Sequence, residues 1–304
     1  MKPTLLQIIF ALVPCFIPAL PAQIQSNDES IRTIDELMKQ FASVEYFWQQ
    51  GDVARELVAL GDTTVIPEIE KYLETQERRR RCNAAMVIAG LGDKRGVAII
   101  IGELKDKKPR PTSMIRSDGK PYPEGQIESD RYYAALLLGQ LRDKEAVPAL
   151  IEATKDKSIC CRAAVSLGQI GDKSAVPALL KMAENFPDER LWAGYGFAAL
   201  GKPEGFDILI GIIDAGSHWT ERRHAVRALG EIGNPVALAT VIKVLKDNHV
   251  NVRVSAARAL GQIGNSTALP ALIEAMDDTE VTKIHAPTTV GKEARKAIEA
   301  IKEE

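Results

Sequence analysis

A unit of about thirty residues recurs down this chain, and it constrains the fold more than any other property of the sequence. Two copies show it plainly: Ala163-Ala164-Val165-Ser166-Leu167-Gly168-Gln169-Ile170-Gly171-Asp172 and Ala256-Ala257-Arg258-Ala259-Leu260-Gly261-Gln262-Ile263-Gly264-Asn265. A segment this short cannot bury its own apolar face, so successive copies must stack and share one continuous core.

The register is set by a pivot residue that closes the first helix of each repeat: Gly61, Gly92, Arg142, Gly171, Gly201, Gly233 and Gly264. The intervals are 31, 50, 29, 30, 32 and 31 residues, so one insertion interrupts an otherwise even series. One place before the pivot stand Leu60, Leu91, Leu141, Ile170, Leu200, Ile232 and Ile263; four before it stand Leu57, Ile88, Leu138, Leu167, Phe197, Leu229 and Leu260. Eight before it the side chains are small: Val53, Ala84, Ala134, Ala163, Ala193, Ala225 and Ala256. Offsets of one, four and eight define one face of a helix, with small residues where backbones approach closely.

A pivot glycine suits a left-handed helix end, and Arg142 is the one departure. Asp62, Asp93, Asp143, Asp172, Asn234 and Asn265 follow it, residues that open turns and helices. Four repeats then place a proline (Pro67, Pro148, Pro177, Pro270) where a first helical turn tolerates the missing N–H. Apolar residues resume at Ile69, Ile100, Leu150, Leu179, Leu209, Val241 and Leu272. Each repeat therefore reads as helix, tight turn, helix. The expected fold is all-α: an α-solenoid, or superhelix, of about seven such repeats over residues 50–304.

The pattern A-A-x-x-L-G-x-I-G-D-x-x-A-V-P-A-L resembles the HEAT-like repeats first described in phycobilin lyases. The resemblance covers about residues 50–304 and implies the fold. It implies no single function, because similar repeats serve in lyases, a hydroxylase, a DNA glycosylase and many scaffolds. Deoxyhypusine hydroxylase, built of similar repeats, binds iron through His-Glu pairs near the starts of its first helices. Here Arg223-His224-Ala225 stands at such a place with alanine where the glutamate belongs, and the other repeats offer Asn83, Tyr133, Arg162, Trp192 and Ser255. No metal site and no cofactor are expected.

Met1–Ala22 has one positive side chain, Lys2, a largely apolar run from Leu5 to Ile17, then prolines and small residues. It reads as a secretory signal cleaved after Ala22, and it is short and proline-interrupted for a membrane span. Leu12-Val13-Pro14-Cys15 approximates a lipoprotein site with proline in the place of a small residue, so lipid attachment at Cys15 is the lesser alternative. An exported protein, periplasmic or extracellular, with no membrane insertion after cleavage is the expectation. A bilin lyase would act beside cytosolic pigment proteins and fits that badly. A net charge of −2 gives no general affinity for nucleic acid. Cys82, Cys160 and Cys161 remain after cleavage, without C-x-x-C or Cys/His spacing. Cys82 and Cys161 belong to first helices two repeats apart, on the order of 20 Å, too far for a disulfide. Idle thiols are expected. The histidines, His218, His224, His249 and His285, form no H-E-x-x-H, and no nucleophile elbow, P-loop or dinucleotide fingerprint occurs.

Two rows carry the candidate sites. Eleven residues before the pivot stand Arg81, Arg131, Arg190, Arg222 and Arg253, a ladder at the starts of stacked helices. Arginine there opposes the helix dipole, and Asp130, Glu189 and Glu221, each just before one, are the expected compensation. The ladder is read as structural, with anion binding as the alternative. The adjoining run Arg78–Arg81 is read as a solvated face. Nine before the pivot the residues vary freely: Asp52, Asn83, Tyr133, Arg162, Trp192, His224 and Ser255. Free variation suggests solvent, and Trp, Tyr and Arg are enriched at binding hot spots. Tyr133, Arg162, Trp192 and His224, with Tyr195 and Arg227 one turn on, are the predicted binding residues; packing against neighbouring repeats is the alternative.

The insertion, Lys107–Ser129, is proline-rich and long for a loop, on the same edge as the arginines. A second irregular stretch, Asp277–Gly291, precedes a last helix at Lys292–Lys302, expected to cap the stack. Residues 23–49 are expected to hold a linker and a first cap, with Ile31, Ile34, Leu37 and Phe41 facing inward. Together these readings predict an exported, non-enzymatic scaffold that binds another protein through its repeat surface. A ligand- or polyanion-binding module using the arginine edge and the 107–129 loop is the alternative, and a lyase-type enzyme is less favoured.

Overall fold

The computed structural model describes residues 32–110, 114–116, 119–216, 218–282 and 287–303. The expected signal, residues 1–22 with Cys15, lies outside them, as do the start of the 23–49 cap and His285. The described residues are all-α, an α-solenoid of helix–turn–helix repeats with no strand, and two compact units divide after Ala178.

In the first unit, α1 (Ile34–Ser43) is the cap. Thr33 accepts the Glu36 amide while Glu36 accepts the Thr33 amide, two otherwise orphaned N–H groups satisfied reciprocally. Leu37 and Phe41 are buried as expected. First helices follow at α2 (Phe47–Leu60), α4 (Arg78–Gly90), α6 (Pro123–Leu141) and α8 (Cys160–Ile170), alternating with second helices α3 (Ile66–Glu70), α5 (Arg95–Lys105) and α7 (Val147–Ala153). Helix α9 (Val176–Asn185) carries the division between the units. The second unit holds first helices α10 (Arg190–Ala199), α12 (Trp219–Ile232) and α14 (Val250–Ile263), second helices α11 (Pro203–Asp214), α13 (Leu238–Val244) and α15 (Leu269–Ala275), and the cap α16 (Val290–Glu303).

The turn chemistry read from the sequence is present. All six pivot glycines sit at positive φ, and Arg142 adopts the same left-handed conformation at φ 54°. In six repeats the Asp or Asn that follows accepts the amide two residues on, at 2.8–3.0 Å. In five of these it launches a single 3-10 turn that runs into the second helix. In the fifth repeat Lys202 replaces that residue, and Pro203 starts α11 without a 3-10 turn.

The rows four and eight before the pivot are buried in every repeat, as is the row eight after it. The row one before the pivot is only partly so: Leu60 is 44% exposed, and Leu91, Leu141 and Ile232 are half-buried. That position lies about 60° around the helix from the buried row four before, at the flank of the face. The insertion is also shorter than expected. Helix α6 begins at Pro123, and Ile115 pairs with Pro121 across a tight antiparallel turn, with Tyr122 N–H to Met114 O at 2.8 Å. A matching bridge joins Val281 and Thr289 before α16, which starts at Val290 rather than Lys292.

Candidate functional site

Four arginines of the row are ion-paired, with partners other than the expected ones. Arg131 reaches Asp156 at 2.8 Å, Arg222 grips Asp247 with Nε and Nη2 at 2.8 Å each, and Arg253 reaches Asp278 at 2.7 Å. In each case the aspartate stands 25 residues after the arginine, in the link between the second helix and the next first helix. The other role of that carboxylate is to accept an amide two residues on: Ser158, His249 and Glu280. Burial alone would raise these carboxyls, but the arginine and amide hydrogen bonds outweigh it and hold all three below the usual range. In the second repeat the roles shift, with Arg78 taking Asp106 and Arg81 taking Glu103, both at 2.6 Å.

Arg190 is the exception: it is exposed, and the residue 25 places on is Ala215, so the rung has no carboxylate. Asp130, expected to compensate Arg131, is buried instead between Arg79 and Arg110, with Gln126 donating to it at 2.8 Å. Arg110 thereby ties the insertion to α6. The run Arg78–Arg81 is not a solvated face, since Arg79 also lies 4.2 Å over the Phe47 ring and Arg80 donates to the Val44 carbonyl at 2.7 Å.

Apart from Asp52, which is exposed, the variable row does not face solvent. In the first unit Tyr133 is buried and donates to Asn83 Oδ1 at 2.6 Å, and Asn83 donates to the Phe47 carbonyl and to Gln50. Burial pushes the Tyr133 phenol above its usual range, so it stays a donor at every ordinary pH. Arg162 is 1% exposed and donates to Tyr132 at 2.7 Å, its guanidinium 4.8 Å from that ring. In the second unit Tyr195 is 2% exposed and donates to Glu231 at 2.9 Å, while Trp192, His224 and Arg227 are half-buried. The Trp192 and His224 rings meet at 5.6 Å.

Arg223 Nη2 lies 3.0 Å from His224 Nε2; as arginine can only donate, this imidazole carries its proton on Nδ1. Burial, then Arg223 and Arg227, push His224 down to about 3. Asn83, Tyr133, Arg162 and His224 form seams in which each side chain meets the preceding first helix. Helix α4 touches its own second helix α5 and both neighbouring first helices, α2 and α6, so little of its circumference is left open. In α8 only Cys161 and Gln169 escape burial.

One recurring row of apolar side chains that are not fully buried lies on the second helices, nine residues after the pivot: Ile101, Ile151, Leu180, Ile210, Ile242 and Ile273, with Glu70 in the first repeat. In the second unit Leu180 is 51% and Ile273 53% exposed, while Ile210 and Ile242 are partly exposed. Reading only the buried row eight after the pivot misses them, although their own recurrence in six repeats was available. A position one residue on from the core row lies about 100° away, at the edge of the covered face.

Cys82 and Cys160 are buried and Cys161 half-buried, and none of the three is in a disulfide among the described residues. Among the described residues no group of His, Cys, Asp and Glu is arranged to hold a metal ion, and no helix is long and apolar enough to cross a membrane.

A sequence model of HEAT repeats matches residues 127–198 and 206–286. No curated protein matches the sequence. Among solved structures, the complex of CpcE and CpcF of phycocyanin lyase from Nostoc sp. PCC7120 aligns over 78% of this chain and 94% of its own, at 21% identity and a TM-score of 0.48. Human deoxyhypusine hydroxylase aligns over 89% and 96%, at 17% identity and a TM-score of 0.37. A designed armadillo repeat protein in complex with the peptide (KR)4 aligns over 89% and 100%, at 16% identity and a TM-score of 0.34.

Proposed function

As the chain belongs to the HEAT-repeat family, we propose that it is a non-enzymatic scaffold, exported through its first 22 residues, that binds another protein on its second-helix face. The observation that carries this reading is the row Leu180, Ile210, Ile242 and Ile273, apolar side chains repeated on successive helices and left partly or half exposed. Recurring exposed apolar residues are an association surface in search of a cover. The buried aromatic and arginine seam supports the same reading from behind, because it fixes the first helices and so holds the second helices in place. Each arginine rung with a carboxylate is neutralised, which takes charge away from the edge a polyanion would need.

The test is affinity capture from an envelope extract with the wild-type chain and with Leu180→Asp/Ile273→Asp. A specific protein retained by the first and depleted at least tenfold by the second, with the melting curve unchanged, supports the proposal. Equal retention by both moves the interface elsewhere, and an unprocessed N-terminus on the cellular protein removes the export step.

A further inference from the structure

Helix α11 differs from the other second helices in what it shows to solvent. Between Pro203 and Asp214 it carries Glu204, Asp207 and Asp214 and neither lysine nor arginine. All three acids are exposed, and with Gly211 their spacing of three, four and three residues sets them on one stripe. Among the described residues none of the three has an ion-pair or hydrogen-bond partner. Asp214 stands in the last helical turn, where the helix dipole disfavours a carboxylate and no basic residue offsets it.

Gly211 lies on the same stripe. It stands in the last turn of α11, exposed, and a Cβ built on it meets nothing within 4 Å, as at Gly102 in the matching place on α5, so packing inside the molecule does not require it. Glycine there weakens the helix without an internal return. Ile210, adjacent to it, belongs to the partly exposed apolar row.

We propose that this face docks a cationic amphipathic segment of the partner protein. Apolar side chains of that segment cover Ile210, its backbone comes close at Gly211, and its lysines or arginines meet Glu204, Asp207 and Asp214. The charge argument selects the chemistry: three unneutralised carboxylates beside an apolar side chain repel an acidic segment and leave a neutral one without ionic partners. This inference rests on the protein-binding reading and names the kind of partner.

The experiment uses the full chain and two synthetic helical peptides of one apolar pattern, one with lysine and one with glutamate at every polar position, followed by fluorescence anisotropy. The lysine peptide should bind at least tenfold tighter, and more weakly as salt rises. Glu204→Gln/Asp207→Asn/Asp214→Asn should cost about tenfold in affinity for it with an unchanged circular dichroism melt, a loss of roughly 1.4 kcal/mol. Gly211→Leu should weaken binding while raising the melting temperature, since leucine is the better helix former and its Cβ enters open space.

Equal affinity for the two peptides, or unchanged binding by the triple variant, overturns the proposal. So does a concentration-dependent dimer abolished by Ile210→Ser, which would give the face to a second copy of the chain. If the captured partner is lost by Leu180→Asp/Ile273→Asp but kept by the triple variant, the scaffold reading stands and this one falls. If no partner is captured and the lysine peptide still binds through the three acids, the reverse holds.

Discussion

Arg142 is the one pivot residue that is not glycine, and exchanging it should make the protein more stable. Its backbone is left-handed, φ 54° and ψ 24°, and its side chain is exposed and in no ion pair, so replacement removes no contact. A side chain in that conformation costs about 1–2 kcal/mol. Glycine escapes that cost but gives back about 0.5–1 kcal/mol through the freedom of its unfolded chain. The net for Arg142→Gly is a gain of about 0.5–1 kcal/mol, or roughly 1–4 °C for a unit of this size. Urea unfolding should show the midpoint moving up with the slope unchanged.

The reverse exchange, Gly171→Ala, should lose a similar amount, because φ is +81° and a Cβ there meets nothing within 4 Å. Gly205→Ala sets the scale for the other reason to keep glycine. Its Cβ would lie 2.1 Å from the Ala198 nitrogen and 2.6 Å from the Gly194 oxygen, and overpacking of that kind costs about 1–3 kcal/mol or more. A lowered midpoint for Arg142→Gly, or equal losses for Gly171→Ala and Gly205→Ala, would refute the backbone account.

Two further outcomes follow from the rungs and the seam. Arg222→Ala should lose about 1.5–3 kcal/mol, the scale of a charged hydrogen bond removed from a largely buried carboxylate, whereas Arg190→Ala should stay within about 0.5 kcal/mol; comparable losses in denaturant would mean that the carboxylate is not what matters. His224 should stay neutral in the folded protein far below its usual pKa, because burial, Arg223 and Arg227 depress it to about 3. The unfolded chain takes up that proton first, so the stability from neutral His224 is complete above about pH 6.5 and falls as the pH drops toward 3. His224→Gln should flatten that slope, and a ring signal titrating near 6.5 in the native protein would sink the assignment.

What the sequence makes legible here is whatever depends on a single repeat. The glycine or Asp at a turn, the proline in a first turn and the apolar rows at Leu167 or Leu179 answer to local geometry, and each recurs often enough to be read. Arg142 shows that the repeat imposes its backbone even where the residue resists it. Contacts between repeats were harder to read. The position of Tyr133, Arg162 and His224 varies because each neighbour differs, and variation that tracks a changing neighbour looks the same as variation on an open surface. The arginine row was visible, but its aspartates stand 25 residues on, beyond the reach of any within-helix rule, and nearer acids such as Asp130 serve other cations. The exposed row at Leu180 and Ile273 was overshadowed by the buried row one residue earlier.

The missing rung at Arg190 and Ala215 bears on how such an array yields. In a linear stack, strength is local, and strain collects at the joint with fewest ties. Elsewhere in the second unit a guanidinium fastens the start of a first helix to the link that launches the next. Across α10 and α11 the residue 25 places after the arginine is Ala215, so this particular clasp is missing there. The helix bearing the unneutralised acids belongs to this repeat. A visiting chain would thus meet, in this repeat, a surface whose first helix lacks the guanidinium–carboxylate clasp that fastens its neighbours on the C-terminal side.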